Sequence, residues 1–212
     1  MNQKFFDVKK EKQDSIINAA LKVFGENGYK RASTDVIVKQ AGISKGLLFH
    51  YFISKQGLFS FIYDYSVRFM TLEVNQTVKK DETDFFELQK QIEQAKTRVM
   101  KNYPYMQQFF DSLKFENHPD ALSALTQDDK QNAIKELYAD FYQQADLTKF
   151  KEHVDVSYIR NMIEWCSAGF MKEAFWGNDP DIDAMSSEFS NYLKMLRDNL
   201  YRPEYLTEDH PT

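Results

Sequence analysis

A short stretch near the N-terminus carries the side chains with the clearest chemistry. Residues 44–55 read Ser-Lys-Gly-Leu-Leu-Phe-His-Tyr-Phe-Ile-Ser-Lys. An ammonium or an imidazole N–H can donate to guanine acceptors or to a phosphate, and a glycine allows close approach of a backbone. An apolar side chain can contact the methyl group of thymine. The residue types therefore predict DNA contacts from Lys45, Gly46, Leu47 and His50.

The segment before this stretch has the pattern of a short helix that ends in a turn. Ser33 or Thr34 can cap its start with a side-chain oxygen. Apolar residues then recur on one face, at Ile37, Val38 and Ala41. Gly42 follows, at the place where helices commonly end in a left-handed residue.

The stretch itself predicts a second helix that begins after the turn. Ser44 can cap this helix, and Leu48 and Phe52, four residues apart, would face inward. The side chains with DNA-binding chemistry would then lie outward. Two short helices joined by a glycine-containing turn form a helix-turn-helix, whose second helix enters the major groove of DNA.

The whole run resembles the DNA-binding segment of the tetracycline-repressor (TetR) family. The similarity rests on Ala41-Gly42-Ile43-Ser44-Lys45-Gly46, then Leu48, then His50-Tyr51-Phe52, then Ser54-Lys55. Upstream, residues 16–24 with Gly28-Tyr29 resemble that family's first helix. The resemblance covers about the first quarter of the chain. It implies DNA contacts from Thr34, Lys45, Gly46, Leu47, Phe49, His50, Tyr51 and Lys55.

Two positions depart from the family pattern. Leu47 stands where threonine is common, and Phe49 stands where tyrosine is common. Phe49 lacks a hydroxyl that could bind a phosphate, which puts its contact in doubt. Leu47 changes the expected readout from polar to apolar. The alternative is that the side chains of this stretch only stabilise a small helical bundle.

The distribution of charge supports a nucleic-acid partner although the chain is acidic overall. The net charge is −5, from 27 Lys/Arg and 32 Asp/Glu. Residues 1–60 contain ten Lys/Arg and five Asp/Glu, a net of +5, which leaves 17 and 27 and a net of −10 for the remainder. A basic module on an acidic body is typical of nucleic-acid binders. Four N-terminal lysines could form an arm on phosphates or in the minor groove, or simply a solvated terminus: Lys4, Lys9, Lys10 and Lys12.

Helical periodicity continues along the chain without strand alternation, so the predicted fold is all-α. A three-helix DNA-binding domain over 1–54, with its first helix at 11–27, would precede a helical ligand-binding and dimerisation domain over 55–212. A long helix over 55–78 would connect the two. Further helices are predicted at about 83–101, 104–115, 119–146, 155–176 and 181–200, with 127–130 as a possible interruption.

The body is rich in aromatic residues, which suits either a phenylalanine-rich core or a pocket for an apolar ligand. The family resemblance implies a small-molecule effector bound among the body helices. Apolar pockets with few polar groups are the usual form of such sites. The candidate lining residues are Phe85, Phe86, Tyr103, Phe109, Phe110, Phe115, Trp165 and Phe170.

The last two helices carry apolar residues at helical spacing. They would pair with their two-fold copies as a four-helix bundle, although a purely intramolecular core could use the same stripes. The family resemblance implies the dimer. The predicted interface residues are Ile159, Ile163, Phe170, Phe189, Tyr192, Leu193, Leu196 and Leu200.

Other function classes find little support in the sequence. No Gly-rich phosphate loop, HExxH or CxxC motif occurs, and the four histidines lack metal-ligand spacing, so we expect no enzyme, metal or cofactor. The single cysteine, Cys166, permits no intrachain disulfide and is expected to be a buried thiol rather than a redox sensor. No signal peptide or membrane span is expected.

The predicted function is a cytoplasmic, homodimeric, ligand-responsive transcriptional regulator, most simply a repressor. The alternative is a helical small-molecule carrier or protein-interaction module in which the DNA-binding domain over 1–54, which we call the head, is vestigial.

Overall fold

The computed structural model describes residues 3–126, 133–174 and 181–206, and its regular elements there are helices. In chain order these are α1 (Gln3–Phe6), α2 (Lys10–Arg31), α3 (Thr34–Ala41), α4 (Lys45–Phe52), α5 (Lys55–Thr77), α6 (Phe85–Asn102), α7 (Met106–Leu113), α8 (Pro119–Thr126), α9 (Ala133–Gln143), α10 (Val156–Ala174) and α11 (Ile182–Leu200). Two 3₁₀ turns, Leu147–Lys149 and Pro203–Tyr205, complete the list. The all-α prediction is confirmed.

The predicted helices agree with the observed ones to within a few residues at most ends. The helix expected over 119–146 corresponds to α8 and α9, and its predicted interruption at 127–130 lies outside the described residues. So do the last two residues of the helix expected over 155–176. The first helix runs past its expected end, because α2 resumes for one turn beyond Gly28, where φ is 65° and ψ is 173°. Only glycine adopts such a backbone readily.

The described residues divide into two compact units. The first comprises residues within 1–73 and 98–136, and the second comprises residues within 74–97 and 137–212. Helices α5 and α6 each cross a boundary between these ranges.

The core of the first unit forms around α2, which packs against α7. Gly25 makes this approach possible, because a Cβ at that position would lie 3.2 Å from the backbone nitrogen of Phe109. The rings of Phe24, Phe59 and Phe109 meet edge to face or tilted, with centroids 5.0–6.5 Å apart. Edge-to-face rings are a preferred aromatic geometry. Buried residues of α2 such as Ile16, Ala20, Val23 and Phe24 contribute to this core.

A hydrogen-bonded cluster fixes the beginning of α2 to α5 and to the end of α6. The ammonium of Lys10 donates to Asp14 (2.7 Å) and to the hydroxyl of Tyr103 (2.9 Å). Tyr103 donates to Asp14 (2.6 Å), and its oxygen lies 2.5 Å from that of Tyr65. Burial and the bond to Asp14 raise the pKa of Tyr103 far above its ordinary value. Lys10 thus links the start of α2 to Tyr103, and its place in the predicted arm stays a prediction.

The second unit has its own apolar core. It contains Phe85, Phe86, Phe150, Ile163, Phe189, Leu193 and Tyr201. Phe150 and Tyr201 also form an isolated antiparallel bridge, which joins the segment before α10 to the residue after α11. Asp84 begins α6 by accepting from the backbone N–H of Glu87 (3.0 Å), and it accepts from Lys149 (2.8 Å). These contacts tie α6 to the segments that flank α10 and α11.

Candidate nucleic-acid interface

The turn between α3 and α4 has the predicted geometry. Gly42 is left-handed, with φ 64° and ψ 37°, and the N–H of Ile43 donates to the carbonyl of Val38 (3.0 Å). This pair of features is the glycine-containing C-cap known as the Schellman motif. Ser44 then caps α4, because its hydroxyl accepts from the backbone N–H of Leu47 (3.2 Å).

The start of α3 differs in one detail from the sequence expectation. The helix begins at Thr34 with Ser33 in the N-cap position, but no side chain makes the capping hydrogen bond. Thr34 is half-buried, while Asp35 in the first turn is exposed. Ile37 and Ala41 are buried as predicted. Helix α3 therefore packs as expected, although Ser33 makes no side-chain capping hydrogen bond.

Helix α4 divides into an inward and an outward face. Leu48, Tyr51 and Phe52 are buried. Lys45, Gly46 and His50 are exposed, whereas Leu47 and Phe49 are half-buried. Lys45 and Gly46 begin the helix, at the end that reads base edges in helix-turn-helix proteins, whereas His50 lies in its last turn. The ring of Tyr51 packs against that of Phe5, with centroids 5.6 Å apart, and the DNA contact of its hydroxyl stays a prediction.

The two lysines of the predicted site have different surroundings. Lys45 forms an ion pair with Asp35 (2.9 Å), and both side chains are well exposed. Such a pair contributes little to stability, so the Lys45 ammonium can exchange this partner for a DNA group. Lys55 donates to the carbonyl of Lys30 (3.3 Å), and its ammonium lies 4.6 Å from the centre of the Tyr29 ring. Burial lowers the pKa of Lys55, against the opposite effect of Glu116 and Asp120.

Two glycines near α4 have opposite environments. A Cβ added to Gly46 would meet nothing within 4 Å, so packing within the chain does not require a glycine there. A Cβ added to Gly57 would overlap the carbonyl oxygen of Phe52. Gly57 is therefore required at the junction between α4 and α5, and sequence analysis missed it.

Ile53, at the same junction, was also missed. Its φ is 65° and its ψ is −48°, and its side chain is almost fully exposed. A β-branched residue at positive φ is strained, typically by about 1–3 kcal/mol. The serine that follows donates from its N–H to the carbonyl of Phe52 (2.7 Å) and caps α5 through its hydroxyl. A tight, strained link thus fixes the direction in which α5 leaves α4.

The candidate effector residues are divided between the two units. Phe115 and Trp165 are 85% and 72% exposed, so the expectation that they line an internal pocket is corrected. Phe115 lies in the turn after α7, and Trp165 lies on an outward face of α10 that the apolar pattern of the sequence does not distinguish from the inward one. The others are buried or half-buried, with Tyr103, Phe109 and Phe110 in the first unit and Phe85, Phe86 and Phe170 in the second.

The residues predicted to form a dimer interface are mostly internal. Ile163, Phe189 and Leu193 belong to the core of the second unit, which corrects their assignment. Ile159, Phe170, Leu196 and Leu200 are half-buried against that core. Tyr192 is exposed, and it belongs to a second apolar stripe that we call the outer face: Tyr158, Met162, Trp165, Tyr192 and Met195. Cys166 is also exposed, contrary to the expected buried thiol, because it follows Trp165 on this side of α10.

The described residues lack two other kinds of site. None of their His, Cys, Asp and Glu side chains form a group of three or more that could hold a metal ion. Among the described helices, none combines the length and hydropathy needed to cross a membrane.

Comparison with known proteins assigns the N-terminal segment. Residues 16–61 match the family model described as "Bacterial regulatory proteins, tetR family". The segment is 51% identical over 43 residues to the HTH-type transcriptional regulator UidR of Escherichia coli, which is 20% of this chain and 22% of that protein. It is 40% identical over 50 residues to the fatty acid metabolism regulator protein of Bacillus subtilis, or 24% and 26% of the two chains. The chain thus matches only about a quarter or less of the length of these relatives.

Solved structures resemble the whole chain in fold. A TetR family transcriptional regulator from Chloroflexus aurantiacus aligns over 94% of this chain and 98% of its own, with a TM-score of 0.66 and 18% identity. The regulator PfmR from Thermus thermophilus aligns over 88% and 99%, with a TM-score of 0.56 and 20% identity. At these identities the likeness concerns the fold. The N-terminal segment thus matches the model of the tetR family of bacterial regulatory proteins, and the chain as a whole shares the fold of these solved structures.

Proposed function

We propose that this protein is a DNA-binding transcriptional regulator, most simply a repressor that dissociates from DNA when it binds a small molecule. The observation that carries the proposal is the capped helix α4, which exposes Lys45, Gly46 and His50 on a basic head. Residues 1–54 would serve DNA binding, and residues 55–212 would serve ligand binding and dimerisation. Such a regulator acts in the cytoplasm, where bacterial DNA lies.

We further propose a homodimer built on the outer face. On α10 the exposed apolar side chains recur at spacings of four and three residues, and on α11 Tyr192 and Met195 are three apart. An exposed apolar stripe on two neighbouring helices suits a two-fold four-helix bundle. Two heads then meet two half-sites of a pseudo-palindromic operator.

Control by an effector would be a shift between conformations of the dimer. A ligand that binds better to a state with wrongly spaced heads lowers DNA affinity by its differential affinity for the two states. We propose an apolar or aromatic ligand because the body is rich in aromatic residues. The first ligand screen should include fatty acids, since one relative of the N-terminal segment is named for fatty acid metabolism.

A mobility-shift titration with the DNA upstream of the protein's own gene tests the function. We expect a specific complex that survives excess unrelated DNA and that added effector dissolves. The rival function, a helical carrier or protein-interaction module with a vestigial head, predicts ligand or protein binding with no sequence preference for DNA. The ratio of specific to unrelated DNA affinity separates the two.

A further inference from the structure

The N-terminal turn α1 inserts one side chain behind the recognition helix. Phe5 is only 1% exposed, although it stands five residues from the start of the chain. Its ring centre lies 5.0 Å from that of Phe52, 5.6 Å from that of Tyr51 and 5.0 Å from that of Phe61. Phe5 therefore contacts two residues of α4 and one residue of α5 at the same time.

The segment that holds Phe5 is fastened to the rest of the head. The side-chain amide of Gln13, on α2, donates to the carbonyls of Phe6 (3.1 Å) and Val8 (2.6 Å). The N–H of Val8 donates back to the carbonyl of Phe5 (3.3 Å). Residues 5–8 are thus a folded turn, whereas the four lysines of the predicted arm are exposed and their contact with DNA stays a prediction.

Phe5 packs beside the junction between α4 and α5, which sets the angle between these two helices. Helix α4 joins α5 through the strained Ile53 and the sterically required Gly57, and Phe5 packs against both helices beside this link. Phe52 and Phe61 also contact each other directly, with centroids 4.9 Å apart. A ring placed against both helices resists a change in that angle, because removing it would leave a cavity.

We propose that Phe5 is a positioning residue for DNA recognition, which acts through Tyr51 and Phe52 to hold α4 at the angle that presents Lys45 and Gly46 to the major groove. This inference rests on the proposed DNA-binding function. It makes α1 a part of the recognition unit. It also gives Tyr51 a supporting role beside the DNA contact expected from the sequence.

The test compares Phe5→Ala with Phe6→Ala in the full-length protein. Phe6 is a neighbour of the same type but is largely exposed, so it controls for the loss of a phenyl ring. We expect Phe5→Ala to weaken operator binding by about tenfold or more, the equivalent of one base contact per half-site. Binding to unrelated DNA at low salt should stay unchanged, because it depends on phosphate neutralisation. Phe6→Ala should bind the operator nearly as wild type does.

Hydrogen exchange without DNA gives an independent readout. Phe5→Ala should speed amide exchange in α4, Lys45–Phe52, while α10 and α11 keep wild-type protection. This measurement tests the positioning role without DNA. If the wild-type protein showed no operator preference, that result would contradict the proposed function but not the effect of Phe5 on α4. Phe5→Leu, which retains part of the volume, should lie between wild type and Phe5→Ala, and it replaces Phe5→Ala should that variant not fold. Variants of Phe5 that match Phe6→Ala in both affinity and exchange would overturn the inference.

Discussion

Gly46 and Gly57 are both close to the recognition helix, but only one of them is explained by the fold. The methyl group of an alanine at 57 would overlap the carbonyl oxygen of Phe52, whereas an alanine at 46 would meet open space. Glycine inside a helix is destabilising by roughly 0.5–1 kcal/mol relative to alanine. Glycine at 46 therefore costs stability without a packing benefit in the free protein, which suggests a benefit in the complex.

Gly46→Ala should accordingly raise the free energy of unfolding, by up to about 1 kcal/mol, and weaken operator binding. The added methyl group would stand where α4 approaches DNA. Urea denaturation and a DNA titration on the same preparation measure the two effects. Gly57→Ala is the matched control, and it should lower stability instead. An alanine at 46 that leaves operator affinity unchanged would remove Gly46 from the site.

Lys45 should carry sequence information, and Lys55 should not. Lys45→Ala is expected to weaken operator binding by about 1–3 kcal/mol, provided that its ammonium exchanges Asp35 for a base. Lys55→Ala should weaken binding to all sequences alike and reduce the salt dependence, as for a phosphate contact. Its contacts to Tyr29 and Lys30 also predict a small loss of stability. Fluorescence anisotropy at several salt concentrations separates these effects, and wild-type affinity in both variants would refute the assignment.

At the scale of elements, helix positions were predictable because capping and turn residues mark them locally. Gly42 follows α3 in the left-handed conformation and Ser44 caps α4, both as predicted. The turn α1 was not predictable, because Phe5 gains its role only from partners some 46–56 positions away in the chain. Gly57 was missed for a different reason, since its constraint is a steric contact with the nearby carbonyl of Phe52, which depends on the path of the backbone between α4 and α5.

The dimer prediction shows a different limit of sequence patterns. Helices α10 and α11 each carry two apolar stripes, and periodicity alone does not tell which one faces the molecule's own core. The inward stripe, with Ile163, Phe189 and Leu193, was chosen as the interface. The outer face of exposed side chains became visible only once the core was known.

Trp165→Asp combined with Met195→Asp should therefore yield a folded monomer. Both side chains are exposed in the single chain, so the charges would be buried only in a dimer, where unpaired charges are costly. Sedimentation velocity measures the oligomeric state, and circular dichroism checks the fold. Leu193→Asp is the control, and it should unfold the second unit because Leu193 is in its core. A double variant that remains a dimer would place the interface elsewhere.

At the scale of the molecule, the fold and the charge division were largely predictable from composition and periodicity. The arrangement of the effector body was not, because aromatic residues that fill a core and those that line a pocket have the same sequence signature. Phe115 and Trp165 are examples, because both were predicted to line the pocket and both are exposed.

Acid should weaken the second unit through Asp84. Burial raises the pKa of its carboxyl, but hydrogen bonds from Lys149 and from the backbone of Glu87 outweigh burial and hold the pKa below its ordinary value of 3.8. A depressed pKa gives stability that is present above the unfolded-state pKa and is lost as pH falls through the folded-state pKa. Asp84→Asn should therefore lower the melting temperature at about pH 7 and have less effect near pH 3. An equal effect at both pH values would argue against this linkage.

The most direct test of sequence-specific DNA recognition by a two-fold dimer is selection of bound sequences from a random duplex library at about 150 mM salt, where purely electrostatic binding is weakened. We predict enrichment of a pseudo-palindrome whose half-sites are about one helical turn, or a multiple of it, apart. Lys45→Ala should reduce the preference at matching positions of both half-sites. Enrichment of no motif, or of a single asymmetric half-site occupied by one protomer, would contradict the account.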